Sequence, residues 1–183
     1  QGQILQHIDA YEPRGWAILQ MAEGDPVHRC SAALIENNNI GPAGEDVEGA
    51  QAGGIAMACS NSVVRKNNIT DATSVGLSVF GAPGSTVEKN LIVTHNRAAH
   101  GGITMVDYAP YNGNFSGTIV QGNVISAENA TMHVAVAMGP RVWMCMDDIR
   151  LLHHLVWGGT VRNNILKGNQ MRYGFAIDGV RIW

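Results

Sequence analysis

Short aliphatic pairs separated by polar turn residues recur along the chain, and no stretch sustains a long helical period. The kernel is aliphatic-x-x-Asn-x-aliphatic. It occurs at Ile35–Asn38–Ile40, Val64–Asn67–Ile69, Val87–Asn90–Ile92, Val120–Asn123–Ile125 and Val161–Asn164–Leu166. Successive Asn positions lie 29, 23, 33 and 41 residues apart, so the shortest interval is a bare unit and the others carry insertions. Leu5-Gln6-His7-Ile8 reads as a degenerate earlier copy with Gln6 in the Asn slot. A second motif, Gly-aliphatic-x-aliphatic, falls between copies: Gly15-Trp16-Ala17-Ile18, Gly54-Ile55-Ala56-Met57, Gly76-Leu77-Ser78-Val79, Gly102-Ile103-Thr104-Met105 and Gly174-Phe175-Ala176-Ile177. His133-Val134-Ala135-Val136 fits the same slot with His in place of Gly.

Period-two alternation between turn residues predicts strands, and unequal insertions on a constant kernel predict a solenoid in which each coil touches only its neighbours. Three short strands per coil of 23 residues or more give an all-β fold, a single-stranded right-handed parallel β-helix of about six coils. Residues 1–183 then form one β-helix domain, or a segment of a longer solenoid. The pattern predicts a core row of Trp16, Ile55, Leu77, Ile103, Val134 and Phe175, and an outward row of Ala17, Ala56, Ser78, Thr104, Ala135 and Ala176. The repeating Asn predicts a ladder that fills a tight turn in every coil. Cys30 and Cys59 each stand eight residues before a ladder Asn, so they stack in adjacent coils, either as a disulfide or as reduced core thiols. Neither end reads as a polar cap, which predicts further coils or a second subunit covering the open ends.

Composition narrows the functional classes. A net charge of −3 lacks the basic footprint that nucleic acid needs. No run of about 18 apolar residues occurs, so the sequence predicts no membrane span. Asn68-Ile69-Thr70, Asn114-Phe115-Ser116 and Asn129-Ala130-Thr131 are N-glycosylation sequons, a mild excess over the roughly one expected by chance, and they predict a secreted, extracellular protein glycosylated at Asn68, Asn114 and Asn129.

The runs SVVRKNNITDATSVGLSVFGAPGSTVEKNLI (62–92) and GGTVRNNIL (158–166) resemble repeats of the pectate-lyase-like right-handed β-helix superfamily. GGITMVDY (101–108) and VAMGPRVW (136–143) resemble fungal secreted β-helix-repeat proteins. The resemblance implies a carbohydrate polymer as ligand. It implies a polysaccharide lyase or glycoside hydrolase, or else a non-catalytic glycan-binding or structural relative. The paired Asp147-Asp148 and His100-Gly101 stand in the wrong order for a polygalacturonase, without its Arg-x-Lys signature. Asp25-Pro26-Val27-His28 matches the epimerase Asp-Pro-His motif only in part.

Candidate chemistry gathers at the two ends of the Gly-motif strands. Asp107 and Asp178 are the candidate catalytic acid and base, with His133 as an alternative base. Arg141, Tyr108, His100, Arg172 and Trp143 are the candidate substrate-binding residues, because cations neutralise a uronate and aromatic faces stack on sugars. The centre of the strand row is small and uncharged, so it offers no carboxylates to calcium; neither a metal nor a cofactor is predicted.

Overall fold

Each coil carries three apolar stretches too short to stand alone, so each must bury itself against the coils beside it. The computed structural model describes residues 2–21, 30–45, 47, 49–107, 111–139 and 155–177. The first coil contributes β1 (Ile4–Gln6), β2 (Asp9–Ala10) and β3 (Ala17–Met21). The second contributes β4 (Leu34–Glu36), β5 (Asn39–Ile40) and β6 (Gly53–Met57), and the third β7 (Val63–Arg65), β8 (Asn68–Thr70) and β9 (Val75–Phe80). The fourth holds β10 (Thr86–Glu88), β11 (Leu91–Thr94) and β12 (Ala99–Val106). The fifth holds β13 (Ile119–Gln121), β14 (Val124–Ala127) and β15 (Met132–Met138), and the sixth β16 (Thr160–Arg162), β17 (Ile165–Lys167) and β18 (Met171–Ile177). Every strand pairs in parallel with its counterpart one coil on, giving three six-stranded sheets: β1-β4-β7-β10-β13-β16, β2-β5-β8-β11-β14-β17 and β3-β6-β9-β12-β15-β18. The chain is a parallel β-helix of six coils.

Register defines the core. Leu5, Ile35, Val64, Val87, Val120 and Val161 align in the first sheet. Ala10, Ile40, Ile69, Ile92, Ile125 and Leu166 align in the second. In the third sheet the row is Leu19, Ile55, Leu77, Ile103, Val136 and Phe175. Trp16 and Val134, predicted for this row, are not in it, and Trp16 is 51% exposed. The neighbouring outward row correspondingly runs Gln20, Ala56, Ser78, Thr104, Ala137 and Ala176, with Gln20 and Ala137 where Ala17 and Ala135 were expected. In the sixth coil the core-row residues Leu166 and Phe175 remain 36% and 44% exposed.

The register of the glycine slot shows where the fifth coil departs. Gly54, Gly76, Gly102, Ala135 and Gly174 share one register slot, so Ala135, not His133, replaces the glycine. A Cβ at Gly54, Gly76 or Gly102 would come within 2.6–2.7 Å of the Cγ2 methyl of Ile69, Ile92 or Ile125, always on the following coil. The same Cβ would also meet the next coil's backbone carbonyl, at 2.5, 2.9 and 2.6 Å for Gly54, Gly76 and Gly102. Gly76→Ala is therefore expected to cost about 1–3 kcal/mol by overpacking, read as a lower urea midpoint with an unchanged slope. Adding Ile92→Leu should recover part of that loss.

Hydrogen bonds fix the corners. Nδ2 of Asn38 donates to Oδ1 of Asn67 at 2.8 Å, and Asn67→Asn90, Asn90→Asn123 and Asn123→Asn164 repeat this at 2.9 Å each. In the first coil the ladder slot holds Ile8, whose backbone N–H donates to Asn38 Oδ1, so Gln6 is not in it. The residue before each slot is left-handed: His7, Asn37, Lys66, Lys89, Gly122 and Asn163 have φ of 54–60°. That conformation costs a non-glycine residue about 1–2 kcal/mol, and the ladder holds it in place. A second ladder uses hydroxyls: Ala33 N–H donates to Ser62 Oγ and Ser62 N–H to Ser85 Oγ, both at 3.0 Å. Cys30 and Cys59 are joined as a disulfide between the first two coils, with Cα atoms 5.0 Å apart.

Candidate functional site

The register that moves Ala135 into the glycine slot also brings three cationic or titratable side chains into line. Ala99 pairs with Met132 and Gly101 with Val134, so His100 and His133 are neighbours. Met132 pairs with Met171 and Val134 with Tyr173, so Arg172 continues the same line one coil further on. The imidazole centroids of His100 and His133 are 5.7 Å apart with the rings tilted by 33°. His133 and Arg172 are exposed and His100 is half-buried. The N–H groups of His100 and Gly101 both donate to the Ser74 carbonyl, at 2.9 and 3.1 Å. Two successive amides on one acceptor mark a bulge, which turns His100 off the regular pleat.

This row can bind an anion. A guanidinium grips a carboxylate or sulfate through paired N–H donors, and an imidazole serves as donor or as general base. Among the described residues no carboxylate occupies the same register line. The contrast is the outer row of the first sheet: Gln6, Glu36, Arg65, Glu88, Gln121 and Arg162. There Arg65 Nε meets Glu36 Oε2 at 2.6 Å, Gln121 Nε2 donates to Glu88 at 3.1 Å, and Arg162 Nε donates to Gln121 Oε1 at 3.0 Å. The hydrogen bond from Arg65 holds the Glu36 carboxyl below its usual range. That row pairs acids, amides and guanidinium groups with one another, whereas the other line stacks two imidazoles beside a guanidinium.

The opposite rim is remote. Asp107 follows β12 and is half-buried. It lies seven positions beyond His100 along an extended strand, about 23 Å at 3.3 Å per residue. Asp107 and His133 therefore cannot share one reacting centre. Tyr108, Arg141, Trp143 and Asp178, the other residues expected at that rim, lie outside the described residues, as do Asp147, Asp148, His153, His154 and Cys145. Among the described residues no three His, Cys, Asp or Glu converge as metal ligands.

Between the rims the small-residue strip is not an open groove. Ala56, Ser78, Thr104 and Ala137 are 2, 7, 0 and 0% exposed. Trp16, at the start of β3, and Phe80, at the end of β9, meet edge to face at 6.1 Å. Chemistry on the third sheet is thereby confined to its ends. Of the sequon residues, Asn68 stands exposed on β8, Asn129 stands exposed beside His95, and Asn114 is half-buried and lines a cavity. Sequence reasoning passed over that cavity; the Asn114 sequon was its one visible sign.

The family model described as right handed beta helix region matches residues 22–139, well over half of the chain, and the chain belongs to that family. The sheets above are accordingly those of a right-handed β-helix. Neither the curated proteins nor the solved structures contain a match to this chain.

Proposed function

We propose that this is an extracellular carbohydrate-active protein that holds an acidic polysaccharide on the His100–His133–Arg172 row. The observation that carries the reading is the in-register stack of two imidazoles and a guanidinium with, among the described residues, no carboxylate on its line. Right-handed β-helix proteins include enzymes acting on polysaccharides as well as proteins with other roles. The pectate-lyase-like and fungal character noted in the sequence supports the first group. The disulfide and the three sequons support an extracellular setting. The rise between coils, about 4.8 Å, is close to the length of a sugar residue, so successive side chains along the row can meet successive sugars.

The row can also act chemically. With Arg172 neutralising a uronate carboxylate, His133 is placed to take the adjacent ring proton, the first step of a β-elimination. Hydrolysis by a carboxylate pair is the second reading and belongs to the other rim, where Asp107 stands. A panel of polyuronates, sulfated glycans and neutral glucans separates these. The row predicts binding to the acidic polymers only. New absorbance from unsaturated uronate that disappears in His133→Ala would establish elimination. New reducing ends lost in Asp107→Ala would establish hydrolysis and relocate the reaction. Binding without either product makes the protein a lectin-like binder. Binding to neutral glucans alone would overturn the proposal.

A further inference from the structure

The corner between the third and first sheets holds a cavity of about 460 Å³ that the row above does not use. Three successive coils line it, with Ser60 and Asn61, then Pro83 and Gly84, then Tyr111, Asn114 and Ser116. Its size lies within the range of about 300–1,000 Å³ typical of small-ligand sites. Its chemistry is that of a sugar site: the faces of Tyr111 and Pro83 offer apolar area, and Ser60 and Asn61 offer hydroxyl and amide groups. Gly84 is required to keep it open, since it has φ +72° and a Cβ there would lie 2.2 Å from Asn61 Oδ1.

One lining residue is the acceptor of a sequon. Asn114 Oδ1 accepts the Ser116 N–H at 2.8 Å, which turns the opposite amide atom, Nδ2, away from that backbone. The sequon is held rigidly. Phe115 is fully buried and its N–H donates to the Trp157 carbonyl at 2.8 Å, while Asn114 N–H donates to Tyr111 O at 3.0 Å. The other two sequon residues stand exposed, so only Asn114 combines an acceptor amide with a cavity.

We infer that Asn114 carries an N-linked glycan whose first sugar is seated in this cavity, against Tyr111 and Pro83 and within reach of Asn61. The inference rests on the extracellular setting proposed above. In the transfer, Asn114 Nδ2 bonds to the anomeric carbon of a lipid-diphosphate-linked glycan. The bond from that carbon to the diphosphate breaks, the lipid diphosphate leaves with the electron pair, and Nδ2 gives one proton to solvent. The seated sugar then spans three coils at a corner held by isolated bridges and single backbone hydrogen bonds, such as Asn61 N–H to Pro83 O and Gly84 N–H to Ser116 O.

The test uses the full chain secreted from a eukaryotic host, with site occupancy and release by peptide N-glycosidase followed by mass spectrometry. All three sites should be occupied. In the native protein, release from Asn114 should be at least tenfold slower than from Asn68 and Asn129, and the three should be alike after denaturation. Tyr111→Ala, and independently the exposed-site change Asn61→Ala, should bring Asn114 release toward the other two. Equal native rates, or an unmodified Asn114 beside modified Asn68 and Asn129, would overturn the inference and leave the polysaccharide-binding reading standing. An absence of glycan at all three would overturn it together with the extracellular setting.

Discussion

Asn90→Ala is expected to lower the unfolding free energy by about 3–5 kcal/mol, a large share of the 5–15 kcal/mol that holds an ordinary domain. The side chain is 1% exposed and makes four hydrogen bonds. Its Oδ1 accepts the backbone N–H and the Nδ2 of Asn67, at 3.0 and 2.9 Å. Its Nδ2 donates to Val64 O at 3.0 Å and to Asn123 Oδ1 at 2.9 Å. Truncation removes a partner from four groups. Asn67 Nδ2 keeps Ile35 O and Asn123 Oδ1 keeps the Asn90 N–H. The Asn67 N–H and Val64 O lose their Asn90 partner, at about 1–3 kcal/mol for each buried group left unpaired. Asn90→Asp should be worse, because a carboxylate would face the two oxygens that Nδ2 now serves. Asn39→Ala is the control. Its amide meets Asp9 Oδ1 at 2.7 Å in an exposed position, so its loss should stay within about 0.5 kcal/mol. Urea unfolding of the three variants checks the ordering.

The second large effect is expected at Asp71, whose loss should cost about 2–4 kcal/mol. This carboxylate is 4% exposed, and its hydrogen bonds among the described residues come from amides. Oδ1 accepts the backbone N–H groups of His95, Asn96 and Arg97 at 2.6, 2.9 and 3.3 Å, and Oδ2 accepts Asn96 Nδ2 at 3.2 Å. It closes the turn after β11 much as an N-cap closes a helix. The turn in turn places Arg97, which donates to Glu12 Oε1 and to Gly44 O, both at 2.5 Å, and so ties the fourth coil to the first two. Asp71→Ala should therefore destabilise the protein and also raise hydrogen exchange in the backbone around residues 95–97 before global unfolding. Arg97→Ala should affect the exchange far less, because the exposed pair with Glu12 is worth under about 1 kcal/mol.

These two residues show what was legible in the chain and what was not. Asn90 announces itself, because the left-handed turn before it and the ladder across it demand the same residue at the same spacing in five coils. Asp71 appears once, after an ordinary strand, and its partners are backbone groups 24–26 residues away, which no pattern encodes. The hydroxyl ladder of Ser62 and Ser85 was missed for a related reason: each hydroxyl reads alone as a surface turn residue. The third sheet was read correctly at Gly54, Gly76, Gly102 and Gly174, where the motif glycine occupies the shared slot. It was misread in the first coil, where Ile18 and not Gly15 lies opposite Gly54, and in the fifth, where Ala135 and not His133 takes the glycine position. His100, His133 and Arg172 were recognised as candidates from their place before the strands. The alignment that makes them one row came only from the corrected register. Asp107 and His133 were expected on opposite rims of the strip, and strand length sets those rims about 23 Å apart.

The central claim is that the row binds an acidic polysaccharide, and isothermal titration of a polyuronate against wild-type protein and Arg172→Glu tests it most directly. Arg172 is exposed, so the reversal should leave the unfolding midpoint within error. The account predicts measurable binding that weakens with added salt, at least tenfold loss in Arg172→Glu, and further loss when His100→Ala and His133→Ala are added. Undiminished polyuronate binding by the charge-reversed protein would contradict it.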